Sequence, residues 1–267
     1  MGVINVTPDS FSDGSQLQKA GSNNFQVDVD KALVKAEEML NEGAVFIDVG
    51  GESTRPGAKP VSQQEELDRV IPVVEKLHKN LDICISVDTS CPRIMSEAIN
   101  SGAGLINDIR ALSRPNAIEL LSETNAAVCL MHMQGEPGSM QEQASYDSVV
   151  DEVVAFLKDR VQLCSNNGID LQRIVIDPGF GFGKTVEHNY QLLKNLSHFA
   201  ELQLPLLVGM SRKSMIGAVT DRPVDQRLAG SVAATSYALL AGAKIIRTHD
   251  VAATVDAIRV NSAFSRA

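Results

Sequence analysis

Two aspartates stand out as side chains that could do chemistry, because each directly follows a short apolar run. Asp88 follows residues 83–87 and Asp177 follows residues 174–176. A single aspartate at such a place commonly caps the following turn, but two of them on well-separated runs favour a ligand site. A carboxylate pair can accept two neighbouring N–H donors of a ring, and it can stabilise positive charge that develops beside it.

Cationic side chains follow the last two apolar runs of the chain. Arg212 and Lys213 come after the seventh run, and Arg247 and His249 come after the eighth. Arginine offers a planar fork to phosphate oxygens, and histidine adds a further donor. A surface salt bridge is the better interpretation for Arg212, whereas Arg247 emerges directly from a buried run and is interpreted as a phosphate ligand. Lys213 could bind a phosphate or donate to a ring carbonyl.

Three other polar residues end apolar runs, namely Asn5, Asp48 and Asn107. Asp48 could equally support the loop that follows it, so we rank it below Asp88 and Asp177. Each asparagine either ties down a turn or reads the donors and acceptors of a ring. Asn5 could instead ligate Mg²⁺, a hard ion that takes oxygen donors, waters and substrate phosphates.

Residues 177–185 form a glycine-rich segment that invites interpretation as a phosphate-binding loop. The GxxxxGK[ST] pattern needs glycine where Pro178 stands, so that interpretation fails. The glycines instead let the backbone pass close to a flat ligand, against which Phe182 could pack. His132 and His188 have no partners at metal-ligand spacing, and we interpret both as core or turn residues.

Eight short apolar runs, with helical stretches between them, must position these side chains. Runs of this length are typical of buried parallel strands, and a closed barrel of such strands gathers its chemistry at their C-terminal ends. The sequence therefore predicts an α/β fold, a (β/α)₈ TIM barrel forming a single domain over residues 1–267. A doubly wound open sheet is the alternative, but residues 5–9 look nothing like its glycine-rich phosphate turn.

Apolar residues recur at helical spacing in residues 29–40, 67–77 and 150–164. Ser62 and Glu65 form a capping box that opens the second of these helices. In the first helix, the predicted buried stripe consists of Val29, Leu33, Ala36 and Leu40.

Composition and charge limit the classes of function. The 267 residues are 44% hydrophobic and 21% charged, which suits one large core with a polar surface. The net charge of −9 argues against a nucleic-acid surface, which would need a basic patch. No run approaches the roughly 18 apolar residues of a membrane span, and no export leader precedes the first strand. Cys84 and Cys129 lie inside predicted strands as inert thiols, which indicates a reducing cytoplasm.

Several segments, taken together and in order, resemble the dihydropteroate synthase family of pterin-binding enzymes. The most specific are residues 5–14, NVTPDSFSDG, and residues 48–57, DVGGESTRPG. The others are SVDTS at 86–90, INDIR at 106–110, MHMQG at 131–135, DPGFGFGK at 177–184, GMSRKS at 209–214 and RTHD at 247–250. The resemblance runs through nearly the whole chain.

That resemblance implies a reaction and a set of site residues. The family is a (β/α)₈ barrel that joins 6-hydroxymethyl-7,8-dihydropterin diphosphate to 4-aminobenzoate and releases diphosphate. The residues that would hold the pterin ring are Asp88, Asn107, Asp177 and Lys213, with Phe182 packed against it. Four of the site residues, Asp88, Asp177, Lys213 and Arg247, are expected to be catalytic.

The resemblance assigns the other substrate groups as well. Asn5, Arg247 and His249 would hold the diphosphate, Asn5 through Mg²⁺. The 4-aminobenzoate site would be completed by residues of two long loops together with one later serine, namely Phe11, Thr54, Arg55, Pro56 and Ser211. The family is commonly a homodimer, and its partners are small-molecule substrates rather than nucleic acid or membrane.

Two other functions compete with this interpretation. A methyltetrahydrofolate methyltransferase that acts on a corrinoid protein shares the pterin-binding barrel, but it would need no diphosphate clamp, which residues 247–249 provide. A non-catalytic pterin-binding protein is the second alternative. Family members usually carry an N-terminal segment that closes the floor of the barrel, whereas this chain starts at the first strand.

Overall fold

Six parallel strands pair side by side in chain order. In the computed structural model they are β1 (Gly2–Asn5), β2 (Phe46–Gly50), β3 (Cys84–Asp88), β4 (Leu105–Asp108), β5 (Ala127–Met131) and β6 (Ile174–Asp177). The strands β7 (Leu207–Val208) and β8 (Ile245–Ile246) pair with each other. The structure describes residues 1–7, 17–18, 26–52, 61–136, 138, 140 and 144–267.

Two single β-bridges join these two sheets into a closed ring. Ile176 of β6 bridges Leu206, which precedes β7. Gly2 of β1 bridges Thr248, and the Thr248 N–H donates to the Met1 carbonyl at 2.9 Å. The strands therefore run in order from β1 to β8 and back to β1, which confirms the predicted (β/α)₈ barrel.

Helices fill the connections between successive strands. They are α1 (Val29–Asn41), α2 (Gln63–Asn80), α3 (Pro92–Asn100), α4 (Ala117–Ser122), α5 (Val149–Asn166), α6 (Val186–Lys194), α7 (Ser214–Thr220), α8 (Leu228–Leu240) and, after β8, α9 (Val251–Phe264). Short 3₁₀ helices cover Leu171–Arg173, Leu196–Leu202 and Val224–Gln226. The capping box predicted at Ser62 and Glu65 is present at the start of α2. None of the described helices is both long and apolar enough to cross a membrane.

Helix α1 packs on the core largely through the predicted stripe. Ala36 is buried, and Val29 and Leu33 are partly buried against the core. Leu40 is partly buried, and Ala32 and Met39, which lie outside the stripe, are buried as well. Met39 packs directly over β1, where its sulfur lies 2.6 Å from the place that a side-chain carbon on Gly2 would occupy. The close approach of α1 to β1 at Gly2 therefore brings Met39 into the core beside the predicted stripe.

Side chains along each strand alternate between the barrel interior and the helices. In β3, Ile85 and Val87 pack in the core between strands and helices, and Cys84 packs in the core inside the barrel. Ser86 and Asp88 lie two and four residues after Cys84, so their side chains point to the same face of the strand, into the barrel. The interior core is apolar, and polar side chains lie beyond it at the C-terminal ends of the strands. The barrel thus builds its polar site at the end predicted for it.

Candidate active site

An ion-pair cluster at the C-terminal ends of the strands links β2 and β3 to the segment after β8. Arg247 donates from Nε to Asp48 Oδ2 at 2.6 Å and from Nη2 to Asp88 Oδ2 at 3.1 Å. Asp48 also accepts from Ser86 Oγ at 2.5 Å and from Asn107 Nδ2 at 3.2 Å. We ranked Asp48 below the other aspartates from the sequence. In the structure its fully buried side chain points into the barrel, because side chains along β2 alternate, and it lies at the centre of this cluster.

Burial dominates the electrostatics of the cluster. It raises the pKa of Asp88 to about 7, against the lowering effect of Arg247, and the charge on Asp48 raises it further. Burial also lowers the pKa of Arg247, but Asp48 and Asp88 outweigh this effect and the net shift is upward. The guanidinium is therefore charged. It has five N–H donors, and these two carboxylates engage only two of the nitrogens.

A second acid–base pair lies on the other side of the opening. Asp177 accepts from the Gly179 N–H at 2.7 Å, and burial raises its pKa although Lys213 opposes the shift. Lys213 donates from Nζ to the Phe180 carbonyl, and the same Nζ lies 4.7 Å from the centre of the Phe182 ring. Burial lowers the pKa of Lys213 to about 8, against the opposing charge of Asp177. Lys213 and Phe182 are therefore brought together as neighbours.

Asn107 presents a buried acceptor. Its Nδ2 donates to Asp48, which fixes the amide, while the buried Oδ1 has no hydrogen-bond partner among the residues that the structure describes. Leaving a buried carbonyl unsatisfied costs about 1–3 kcal/mol. Asn107 pairs in register with Asp88 on the neighbouring strand. An N–H donor bound beside these two residues would satisfy the orphan oxygen.

Ser211 and His249 meet where the segments after β7 and β8 come together. Ser211 Oγ lies 3.1 Å from His249 Nδ1 and accepts from the His249 N–H at 3.2 Å. Burial and the charge on Arg247 lower the pKa of His249 to about 3, so its imidazole is neutral near pH 7. Arg212 pairs with Asp250 through two hydrogen bonds, which confirms the predicted salt bridge.

Asn5 ends β1 beside Gly50. A side-chain carbon on Gly50 would lie 3.7 Å from Asn5 Oδ1 and 3.9 Å from Asp88 Oδ2, so these two oxygens flank one space. An amide and a carboxylate oxygen are donors that suit Mg²⁺. Within the described parts of the chain, no three His, Cys, Asp or Glu side chains cluster as a metal site. Magnesium here would depend on waters and on ligand oxygens for its other contacts.

Four predicted site residues, Phe11, Thr54, Arg55 and Pro56, lie outside the residues that the structure describes. His188 is the partner of Thr185 in the capping box of α6, which confirms its predicted turn role. His132 is buried and packs edge-on against Phe156, as expected of a core residue.

Two residues that lie in or beside the candidate site, Ser86 and Lys184, were not predicted from the sequence. Ser86 holds Asp48, and its position two residues before Asp88 in an otherwise apolar run was a usable signal. Lys184 is buried to 2% exposure beside His132, with Nζ 2.9 Å from Nδ1. No local sequence signal marks Lys184, because its partner His132 lies 52 positions earlier in the chain.

Comparisons with known proteins show the family to which the chain belongs. The family model for pterin binding enzymes matches residues 1–249. The dihydropteroate synthase of Haemophilus influenzae is 53% identical over 267 residues, which cover 100% of this chain and 94% of that protein. The Yersinia pestis dihydropteroate synthase, solved with a sulfonamide drug, has a TM-score of 0.93 at 50% identity, covering 100% of this chain and 94% of that one.

A third relative was solved with molecules of the reaction. The dihydropteroate synthase of Xanthomonas albilineans with 4-aminobenzoic acid has a TM-score of 0.90 at 46% identity, covering 100% of this chain and 93% of that one. The same enzyme in complex with 7,8-dihydropteroate has a TM-score of 0.87 at 42% identity, with the same coverage of 100% and 93%. The chain therefore belongs to the pterin binding enzymes and, among them, to the dihydropteroate synthases, which are transferases.

Proposed function

We propose that the chain condenses 6-hydroxymethyl-7,8-dihydropterin diphosphate with 4-aminobenzoate to give 7,8-dihydropteroate and diphosphate, a step of folate biosynthesis. The observation that carries this proposal is the meeting of Asp88, Asn107 and Asp177 with the cations Lys213 and Arg247 at one end of the barrel. The Xanthomonas complexes with 4-aminobenzoic acid and with 7,8-dihydropteroate support both the substrate and the product.

The pterin ring binds among the acceptors and the lysine. Ionised Asp88 and Asp177 accept ring N–H donors, and the Asn107 Oδ1 that has no partner takes another. Lys213 donates to a ring acceptor, and Phe182 packs against the ring face. Because a bound donor stabilises the charged carboxylate, pterin binding lowers the raised pKa of Asp88.

The diphosphate binds to the cationic side of the opening. Arg247 retains donors for phosphate oxygens while it holds Asp48 and Asp88. His249 adds a donor, and Ser211 fixes the imidazole. Magnesium, when bound through Asn5, would supply positive charge to the leaving diphosphate. The residues proposed to complete the 4-aminobenzoate site are Phe11, Thr54, Arg55, Pro56 and Ser211.

These charges favour a dissociative mechanism. The bond between the pterin methylene carbon and the diphosphate oxygen breaks first, and its electron pair leaves with the diphosphate, which Arg247 stabilises. Asp88 and Asp177 stabilise the positive charge that develops on the pterin. The aniline nitrogen of 4-aminobenzoate then attacks the methylene carbon and loses a proton. No side-chain nucleophile takes part.

We also propose that the chain is a homodimer in the cytoplasm. The late helices expose apolar side chains at Val219, Tyr237, Leu240, Val260 and Phe264, with exposures between 57% and 70%. Helices α8 and α9 pack side by side, so this surface can bury against a second copy. The four cysteines form no disulfide, as a reducing compartment requires. Light scattering of the purified chain and of a Leu240→Glu variant tests the dimer.

The activity is tested by incubating the folded protein with pterin diphosphate, 4-aminobenzoate and Mg²⁺. We expect diphosphate and dihydropteroate to appear in equal amounts, and only when both substrates are present. Arg247→Ala removes activity, whereas Arg212→Ala, a neighbouring arginine paired with Asp250, largely retains it. Folded protein that binds the pterin without turnover would instead indicate a non-catalytic pterin-binding protein. Chelation of the metal tests the role assigned to Asn5.

A further inference from the structure

Lys184 is a buried lysine that the proposed reaction does not use. Burial lowers its pKa to about 7, against the opposing charge of Asp177. Its Nζ lies 2.9 Å from His132 Nδ1, 3.0 Å from the Gly179 and Phe182 carbonyl oxygens, and 3.4 Å from the His132 carbonyl oxygen. These hydrogen-bond partners carry no full charge, so hydrogen bonds hold the Lys184 nitrogen in place. All of them belong to the two segments that leave β5 and β6. Lys184 therefore ties these two segments together.

The segment after β6, residues 178–184, lies flush against the exit of β5. Gly179 has a φ of +70°, and a side-chain carbon there would lie 1.9 Å from the His132 carbonyl oxygen. Gly183 has a φ of +60°, and its side-chain carbon would lie 2.3 Å from the Gln134 carbonyl oxygen. Only glycine fits such approaches. The segment thus has one tightly defined position, and the hydrogen bonds from Lys184 to the Gly179 and Phe182 carbonyls stabilise that position.

The same segment determines where Lys213 lies. The Phe180 carbonyl accepts from Lys213 Nζ, and the Phe182 ring lies beneath that nitrogen. A side-chain carbon on Gly181 would lie 3.3 Å from Lys213 Cδ, so the lysine stem runs along the backbone of the segment. Phe180, Gly181 and Phe182 therefore contact Lys213, while the carbonyl oxygens of Gly179 and Phe182 accept from Lys184.

We infer that Lys184 is a positioning residue, which aligns Lys213 for the pterin by fixing residues 178–184. This inference rests on the proposed pterin-binding role of Lys213. For the ammonium to donate to His132, the Nδ1 atom must be unprotonated. Burial, followed by the charge on Lys184, lowers the pKa of His132 to about 3, which is consistent with that state.

A double-mutant cycle with a pterin probe tests this link. The affinity for 6-hydroxymethylpterin is measured by pterin fluorescence for the unmodified chain, Lys184→Met, Lys213→Met and the double variant. We expect Lys184→Met to weaken binding at least tenfold on its own, but less than twofold when Lys213 is already Met. Leu77→Ala, a fully buried site on α2, is the control for lost stability and should leave the affinity unchanged.

Two results would overturn the inference. One is an unchanged pterin affinity in folded Lys184→Met. The other is that Lys184→Met weakens the affinity by the same factor whether residue 213 is Lys or Met, since that would show a general effect on the fold. If Lys184→Met fails to fold, Lys184→Gln keeps amide donors at the position, and the same cycle applies to it. Unchanged affinity in Lys213→Met alone would overturn the role of Lys213 and this inference together. Turnover by the unmodified chain tests the proposed function separately.

Discussion

Asp48→Asn isolates the charge at the centre of the ion-pair cluster. The amide has the shape of the carboxylate, so its oxygen can still accept from Arg247 and Asn107, while its NH₂ donates to Ser86 Oγ, which turns to accept. What is lost is the negative charge beside Arg247. Among the residues that the structure describes, the guanidinium then keeps one carboxylate partner, Asp88.

The expected cost follows from the geometry. A hydrogen bond to a charged group contributes about 1.5–3 kcal/mol, and a neutral one about 0.5–1.5 kcal/mol. The difference between these two values is about 1–1.5 kcal/mol. Because the Arg247 side chain is only 21% exposed, we expect a loss of that size in the free energy of unfolding. Asp48→Ala removes the acceptor from three donors and should cost more, about 3–5 kcal/mol, as when a buried pair is broken.

Urea denaturation measures both losses, and steady-state kinetics measures the effect on turnover. We expect kcat/KM to fall at least tenfold in Asp48→Asn, because Arg247 and Asn107 lose a fixed partner. Asp250→Asn is the matched control, since it makes the same change in the more exposed Arg212 pair and should cost less than about 1 kcal/mol. The reasoning would be refuted if the free energy of unfolding of Asp48→Asn equalled that of the unmodified chain. It would also be refuted if it equalled that of Asp48→Ala.

Three further perturbations test other parts of the site. Lys213→Ala should lower kcat by about 10²–10³-fold, as for other preorganised donors, with little change in melting temperature; near-normal turnover would remove its catalytic role. Burial raises the pKa of Asp88 to about 7, so its contribution to stability is complete below about pH 4 and is lost as the pH rises through about 7. Asp88→Asn should therefore flatten the fall in unfolding free energy over that range in a urea series, and an unchanged slope would contradict the shift. Gly179→Ala should prevent folding or destabilise by several kcal/mol, because the new carbon would meet the His132 carbonyl oxygen at 1.9 Å. Gly168→Ala is the control, because Gly168 has a φ of +93° and the new carbon would meet its nearest neighbour only at 3.9 Å, so this variant has backbone strain without a clash. Equal melting temperatures for these two variants would argue against the steric account.

The architecture was predictable because strand alternation and chain order are local properties of the sequence. The apolar runs gave the positions of the strands, and the polar residues that end them gave Asp88, Asn107, Asp177 and Arg247 as site residues. These residues share one face because parallel strands in register bring their C-terminal ends to the same edge. For that reason fold and candidate site were predicted together.

The contacts between distant segments were not predictable in this way. Asp48 looked like loop support, since nothing local indicates that a residue 199 positions later donates to it at 2.6 Å. Lys184 looked like the end of a failed motif, because its acceptor His132 lies 52 positions earlier. The burial of Met39 on α1 was not predicted because it depends on how closely that helix approaches Gly2.

The barrel is least continuous where β7 and β8 join the other strands, since each junction there is a single β-bridge. Arg247 crosses the junction beside β1 and binds carboxylates on β2 and β3. Opening of that seam would separate the cation from both carboxylates, so the site exists only while the ring is closed. A ligand that needs both sides stabilises the closed ring by mass action. Hydrogen exchange of backbone amides at the β1–β8 junction should therefore slow when the pterin diphosphate binds. Only molecules whose ring is closed are catalytically active, so the active fraction reports the closed fraction.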